Sequence, residues 1–145
     1  MEKKKNKGLT QEHWTDAVRS DYVAVSDYET FDAVLKRYIS ETLEVQKINQ
    51  SDISKATGID GSTISKLKNG EVKPNTYMIV LLSLAMRLTH ARSDYLFFCA
   101  GIQLNNSLEH RIYRLFLDGC AYNEIYNIKN CNKMLAENNI TMLSV

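Results

Sequence analysis

The chain has 145 residues, 44% of them hydrophobic, with one proline and six glycines. That is enough apolar material for one domain with extensions, and the absence of alternating strand-like runs excludes a β-rich fold and leaves an all-α one. A formal charge of +1 excludes a polycationic nucleic-acid binder. With no run of about 18 apolar residues and no signal-type N-terminus, a soluble cytoplasmic protein without membrane contact is expected.

Residues 1–8, MEKKKNKG, place Lys3, Lys4, Lys5 and Lys7 in one short run, which reads either as a basic arm that wraps DNA or as a solubilising tail, disordered in both cases. Residues 9–30 form a helical extension. Within it Thr10 precedes Gln11, Glu12, His13, Trp14, Ala17 and Val18, a short helix with Trp14 as a core anchor. From residue 31 the pattern strengthens. Phe31, Val34, Leu35, Tyr38, Ile39, Thr42 and Leu43 recur three and four apart, with Asp27 or Thr30 as cap and Lys36, Arg37 and Glu41 outside.

The stretch from Asn49 to Pro74 carries the most information. Gln50–Thr57 is long enough for about two helical turns, with Ile53 and Ala56 inward and Ser51, Asp52 and Lys55 outward. Gly58 stands where a helix end needs a left-handed residue, Ile59 plugs the corner, and Asp60 is placed to accept from the first free amides of a second helix. In that helix Ile64 and Leu67 point inward and leave Gly61, Ser62, Thr63, Ser65, Lys66 and Asn69 on a small, polar outer face. A major groove about 12 Å wide accepts such a face and rejects bulky apolar side chains. Gly70 stops the helix and Pro74 prevents its continuation. Around the motif Lys47, Lys55, Lys66, Lys68 and Lys73 outnumber Asp52, Asp60 and Glu71 by two charges, a basic face on a near-neutral chain.

Gln50, Ile53, Gly58, Ile59, Ser62-Thr63-Ile64-Ser65, Leu67, Asn69-Gly70 and Pro74 together resemble the Cro/C-I repressor (XRE) helix–turn–helix family over about residues 31–102. Two positions depart from its pattern. Ser54 stands where the family carries a packed Ala, Thr57 where it carries an apolar residue, and both are expected to weaken the core. The resemblance implies a five-helix, phage-repressor-like DNA-binding domain at residues 31–104. It implies base-edge positions for Asp60, Gly61, Ser62 and Lys66, with Thr63 on base or backbone, and phosphate contacts from Asn49, Gln50, Asn69 and Lys73. The amides that open the Gln50 helix suit a phosphate, and Lys66 suits guanine acceptors. Asp60 fits such a surface as the cap of its own helix or as acceptor from a cytosine amine, the cap being the preferred reading.

Downstream, Thr76 or Asn75 caps an apolar run through Tyr77, Val80, Leu81, Leu84, Ala85 and Leu88. Ser93-Asp94 opens a fifth helix, Tyr95 to Ala100, closed by Gly101, with more aromatic surface than a small core needs and part of it free for a partner subunit. Residues 105–145 form a helical appendage. Asn106 or Ser107 caps Leu108 to Leu117, whose stripe is Leu108, Ile112, Leu115 and Phe116 with Arg111, Tyr113 and Arg114 beside it. Asp118-Gly119-Cys120 ends that helix, and Ile125, Ile128, Cys131, Met134 and Leu135 predict one or two more. Such an appendage serves dimerisation or packing, and is the candidate surface for a protein partner or a small effector.

Catalysis finds little support. Cys99, Cys120 and Cys131 are odd in number and lack metal-type spacing, His13, His90 and His110 are scattered, and there is no phosphate loop or paired carboxylate setting. No enzyme activity, cofactor or metal is expected. The leading expectation is a homodimeric, sequence-specific transcriptional repressor on double-stranded DNA, with half-sites about one helical turn apart. The alternative is an adaptor or antitoxin of phage or mobile-element type whose helices bind a protein.

Overall fold

The structure, a computed structural model, describes residues 29–144. The basic run Lys3–Lys7, the short helix expected around Trp14 and the candidate cap Asp27 lie outside the described residues. Seven helices and no strand occur among the described residues: α1 Phe31–Gln46, α2 Gln50–Thr57, α3 Gly61–Lys68, α4 Thr76–Ala85, α5 His90–Ala100, α6 Leu108–Gly119 and α7 Ile128–Glu137.

Capping chemistry sets most boundaries. Thr30, Asn49, Asn75, Thr89, Ser107 and Asn127 each accept a backbone N–H from the third residue beyond, at the starts of α1, α2, α4, α5, α6 and α7. At the C-termini, Gly58 and Gly101 adopt left-handed conformations, the positions for which glycine has no steric cost. The end of α3 is a Schellman closure, in which Glu71 N–H donates to Lys66 C=O and Gly70 N–H to Leu67 C=O.

Helix α4 is the centre of the molecule. Ile79, Val80, Leu81, Leu82, Ser83 and Leu84 are buried in succession, so the helix is covered on every side, as a run apolar but for Ser83 requires. It packs on α2 and α5 and on both α6 and α7, while α1 packs on α3 and α5. One hydrophobic core consequently runs from Phe31 to Leu143. The C-terminal chain is pinned by Asn132, which accepts from Leu143 N–H and donates to its C=O.

Several expectations require correction. Leu43 is exposed, because it lies seven residues beyond Lys36 and shares its outward direction on α1. Helix α5 begins at His90, a turn before Ser93-Asp94, and Ser93 is buried with its hydroxyl on His90 C=O. The signal was hidden at the end of α4, where a left-handed Arg87 (φ 54°) rather than a glycine closes the helix. In α6 the buried side chains are Ile112, Tyr113, Phe116 and Leu117, whereas Leu108 and Leu115 are each 45% exposed. The stripe is therefore rotated toward Tyr113, whose ring packs edge-on against Tyr77 and stacks with His110. After α6 there is one further helix, and Ile125 stands exposed ahead of it. Gly119 is the last helical residue of α6, and a Cβ there would sit 2.4 Å from the Tyr126 ring. Close approach of that ring, itself edge-on to Phe116, accounts for the glycine.

Candidate nucleic-acid interface

The corner between α2 and α3 is built from two polar side chains, Thr57 buried and Ser54 half-buried, set beside apolar ones. Ile53, Ile59, Ile64 and Leu67 are at most 1% exposed and form its wedge. Thr57 is buried too, and its hydroxyl donates to Ile53 C=O at 2.8 Å while accepting from Ile59 N–H at 3.1 Å. The Ser54 hydroxyl donates to Ile59 C=O at 2.6 Å. Both backbone groups of the corner residue are thus satisfied by side chains of the preceding helix, which buried amides demand. The two departures from the family pattern, expected to weaken the core, instead latch the turn. Ala56, expected inward, is exposed; Thr57 takes the inward place four residues after Ile53 because its hydroxyl is fully used there.

A second latch joins the helices at their outer ends. Gln50 Nε2 donates to Gly61 C=O at 3.2 Å and to Ser65 Oγ at 3.1 Å, so the first residue of α2 fixes the angle at which α3 is presented. Sequence reasoning assigned Gln50 to phosphate and did not anticipate this bridge, although its pairing with a small Gly61 and a Ser65 eleven and fifteen residues on was the available signal.

The expected base-edge residues converge on one surface. Asp60, Gly61, Ser62 and Lys66 are exposed and Thr63 is half-buried beside them. Asp60 holds the N-cap position of α3 but makes no side-chain capping bond. The capping role expected for it is therefore corrected: the Asp60 carboxylate makes no hydrogen bond to the amides that open α3. Gly61 has open space where a Cβ would stand, so nothing in the fold requires a glycine there.

The expected phosphate residues are more dispersed. Asn49 closes a reciprocal capping box with Asp52, its Oδ1 accepting from Asp52 N–H at 2.8 Å and its own N–H donating to Asp52 Oδ2 at 2.9 Å. A carboxylate thus already sits at the positive end of α2 that was expected to suit a phosphate. Asn69 donates weakly to Glu71 at 3.4 Å, and Lys73 is exposed beyond the Schellman turn.

Among the described residues the thiols and imidazoles form no second cluster. Burial pushes the Cys120 and Cys131 thiols up to about 11 and about 12 and raises that of Cys99, so all three stay protonated near neutrality and are poor nucleophiles. Cys120 Sγ donates to Leu88 C=O at 3.3 Å. His90 lies between Asp118 at 2.5 Å and Asp94 at 3.1 Å, an ion-pair arrangement at the α5–α6 junction. No cluster of three or more His, Cys, Asp or Glu side chains with metal-binding geometry occurs among the described residues, and no helix among them is long and apolar enough to cross a membrane.

Two short helices crossed at a latched glycine turn, the second with a polar, solvent-facing side and a lysine in its last turn, define a helix–turn–helix module of the DNA-binding class. A helix-turn-helix family model matches residues 39–92, from the second half of α1 to the start of α5. This segment is thus a helix–turn–helix of the Cro/C-I repressor (XRE) type, a type that supports DNA binding and transcription regulation. No curated protein and no solved structure matches the chain.

Proposed function

We propose that the protein is a sequence-specific transcriptional repressor that acts as a homodimer, each protomer inserting α3 into one of two successive major grooves of a two-fold operator. The observation that carries this reading is the outer face of α3, where Gly61, Ser62 and Lys66 are exposed while Gln50 holds the helix at a fixed angle. Ser62 and Thr63 supply short hydrogen-bonding groups near the helix N-terminus, Lys66 a cation one turn later, and Asp60 an acceptor matched to a cytosine amine. Lys73 and Asn69 flank the helix C-terminus for phosphates, and Asn49 and Gln50 flank α2 from the other side. Exposed Leu115 and Ile125 border a groove with Met134 between α6 and α7, apolar surface that supports a contact between protomers on the C-terminal side. Occupying a promoter by such a dimer blocks transcription sterically.

Selection of bound fragments from random duplexes tests the reading. A palindromic motif with half-sites about one helical turn apart is expected. Absence of any enriched sequence, with a co-purifying protein in its place, overturns it in favour of the adaptor reading.

A further inference from the structure

A cavity of about 320 Å³ lies where the reading pair meets the C-terminal helices, at the lower end of the size of small-molecule sites. Leu84, Ala85, Tyr126 and Ile128 give it apolar walls, and Ala56, the neighbour of Thr57 in α2, lines it too. Arg87 is the residue there that packing leaves unexplained. It closes α4 with a left-handed backbone, a conformation unfavourable for any residue with a side chain, so the reason for an arginine lies in that side chain. The side chain is half-buried, and its Nε donates to Cys120 C=O at 3.2 Å, which holds the guanidinium against the lining of this cavity. Among the described residues its Nη groups have no protein acceptor and no carboxylate pairs with it. Arg87 also borders a cleft toward α1 that holds Glu41 and Glu44, but Glu41 pairs with Arg92 and neither is bonded to Arg87. A half-buried charge without a counter-ion is unfavourable, and a bound anion relieves it through charge-assisted hydrogen bonds.

The other polar residues of the lining set the charge of that anion. Lys129, in the first turn of α7, and Glu124, on the connection before it, are both exposed and take part in no ion pair among the described residues. Asn127 is already engaged at both ends of its amide, its Oδ1 accepting from Asn130 N–H and its Nδ2 donating to Glu124 C=O, each at 2.8 Å. Two cations, Arg87 and Lys129, against the single carboxylate of Glu124 leave the lining with one positive charge. That balance suits a monoanion and opposes a dianion. The apolar walls require a hydrocarbon body on the same molecule.

We infer that this cavity is an effector site for a small organic monoanion, a carboxylate on a compact apolar body. The carboxylate meets the Arg87 guanidinium, Lys129 adds to the field, and the body lies against Leu84, Tyr126 and Ile128. Resting on the reading of α3 as the helix that enters DNA, occupancy changes operator affinity. Part of the lining belongs to α2 and part to the connection between α6 and α7, and α2 sets the angle of α3 through Gln50. A ligand that binds one arrangement of these elements better than another shifts the population toward it.

Calorimetric titration of the full-length protein without DNA, using hexanoate and phenylacetate, tests the site apart from the operator. Hexanamide and adipate serve as the uncharged and doubly charged counterparts of hexanoate. Saturable binding of at least one monoanion is expected, with hexanamide and adipate about tenfold weaker than hexanoate or worse. Arg87→Gln should lower affinity by a similar factor and Lys129→Gln by a smaller one, whereas Glu124→Gln should raise it, a change of sign that damage to the fold does not produce. Should Arg87→Gln lose far-UV helicity, the variants at exposed Lys129 and Glu124 decide the matter. Absence of saturable binding for both monoanions overturns the inference, as does hexanamide binding as well as hexanoate, or affinity indifferent to all three substitutions. The same monoanion added to the protein on its selected duplex should shift operator affinity several-fold, and binding without such a shift overturns the effector role. A selection that enriches no duplex overturns the repressor reading instead, while the titration still decides the site.

Discussion

At the corner of the helix–turn–helix, two hydroxyls decide the local geometry. Thr57 can be replaced by Val with almost no change in volume, yet the substitution leaves the buried Ile59 N–H without an acceptor. Thr57→Val should destabilise the protein by about 1–3 kcal/mol, the desolvation cost of one orphaned buried amide, measured by urea unfolding; an unchanged midpoint would show that the amide finds another partner. Lys66 makes a different kind of statement, because it is exposed and its loss leaves the fold intact. Lys66→Ala should weaken specific binding by about 1–3 kcal/mol if the ammonium reads guanine, with a normal unfolding curve beside it. Operator affinity equal to that of the unaltered protein removes Lys66 from the reading set. The inward Ile53, Ile64 and Leu67 and the left-handed Gly58 were legible in the sequence from spacing and steric need. The roles of Ser54, Thr57 and Gln50 were not, since a hydrogen bond across a turn depends on where two backbones come to lie, and nothing in residue order reports that distance.

Among the elements, boundaries followed the caps. Where a Ser, Thr or Asn preceded an apolar run, as before α4 and α6, the start was evident; where α4 closed on Arg87 instead of a glycine, the next helix was placed a turn too late. The stripe of α6 shows the second limit. Periodicity identified a helix there, but Tyr113 and Leu115 sit on opposite edges of the same stripe, and only packing against α4 and α7 selects the tyrosine for burial. The junction of α5 with α6 carries a titratable link of its own. The Asp118 carboxylate, and after it Asp94, holds the His90 imidazolium above its ordinary value of 6.5. A group whose value rises on folding contributes stability that is complete below the unfolded value and is lost as pH climbs through the folded one. Stability should therefore decline as pH rises across the neutral range, by a small amount because the pair is solvent-exposed. His90→Gln should flatten that slope in thermal unfolding followed by circular dichroism, whereas an identical slope in the variant would place the titration elsewhere.

For the molecule as a whole, the all-helical class and the reading pair could be foreseen, but the way the C-terminal helices join the rest could not. Composition announced apolar faces on residues 108–135 without naming what they cover, and the structure assigns them to α4 and α5 of the same chain. A chain cut after residue 104 would strip α4 of two of its four neighbours and expose much of a helix that is apolar all round. Such a fragment should fail to give the cooperative transition of the full chain and should bind a fluorescent hydrophobic dye. A sharp transition with undiminished helix content would instead show that the first five helices suffice.

The division of labour across α3 has a practical corollary. Its inner side, Ile64 and Leu67, is committed to the wedge, and Gln50 grips it only through the Gly61 carbonyl and the Ser65 hydroxyl. Positions 61, 62 and 66 are thereby released from architectural duty, so substitutions there leave the fold in place, and on the proposed reading of α3 they would change the sequence bound without rebuilding the scaffold.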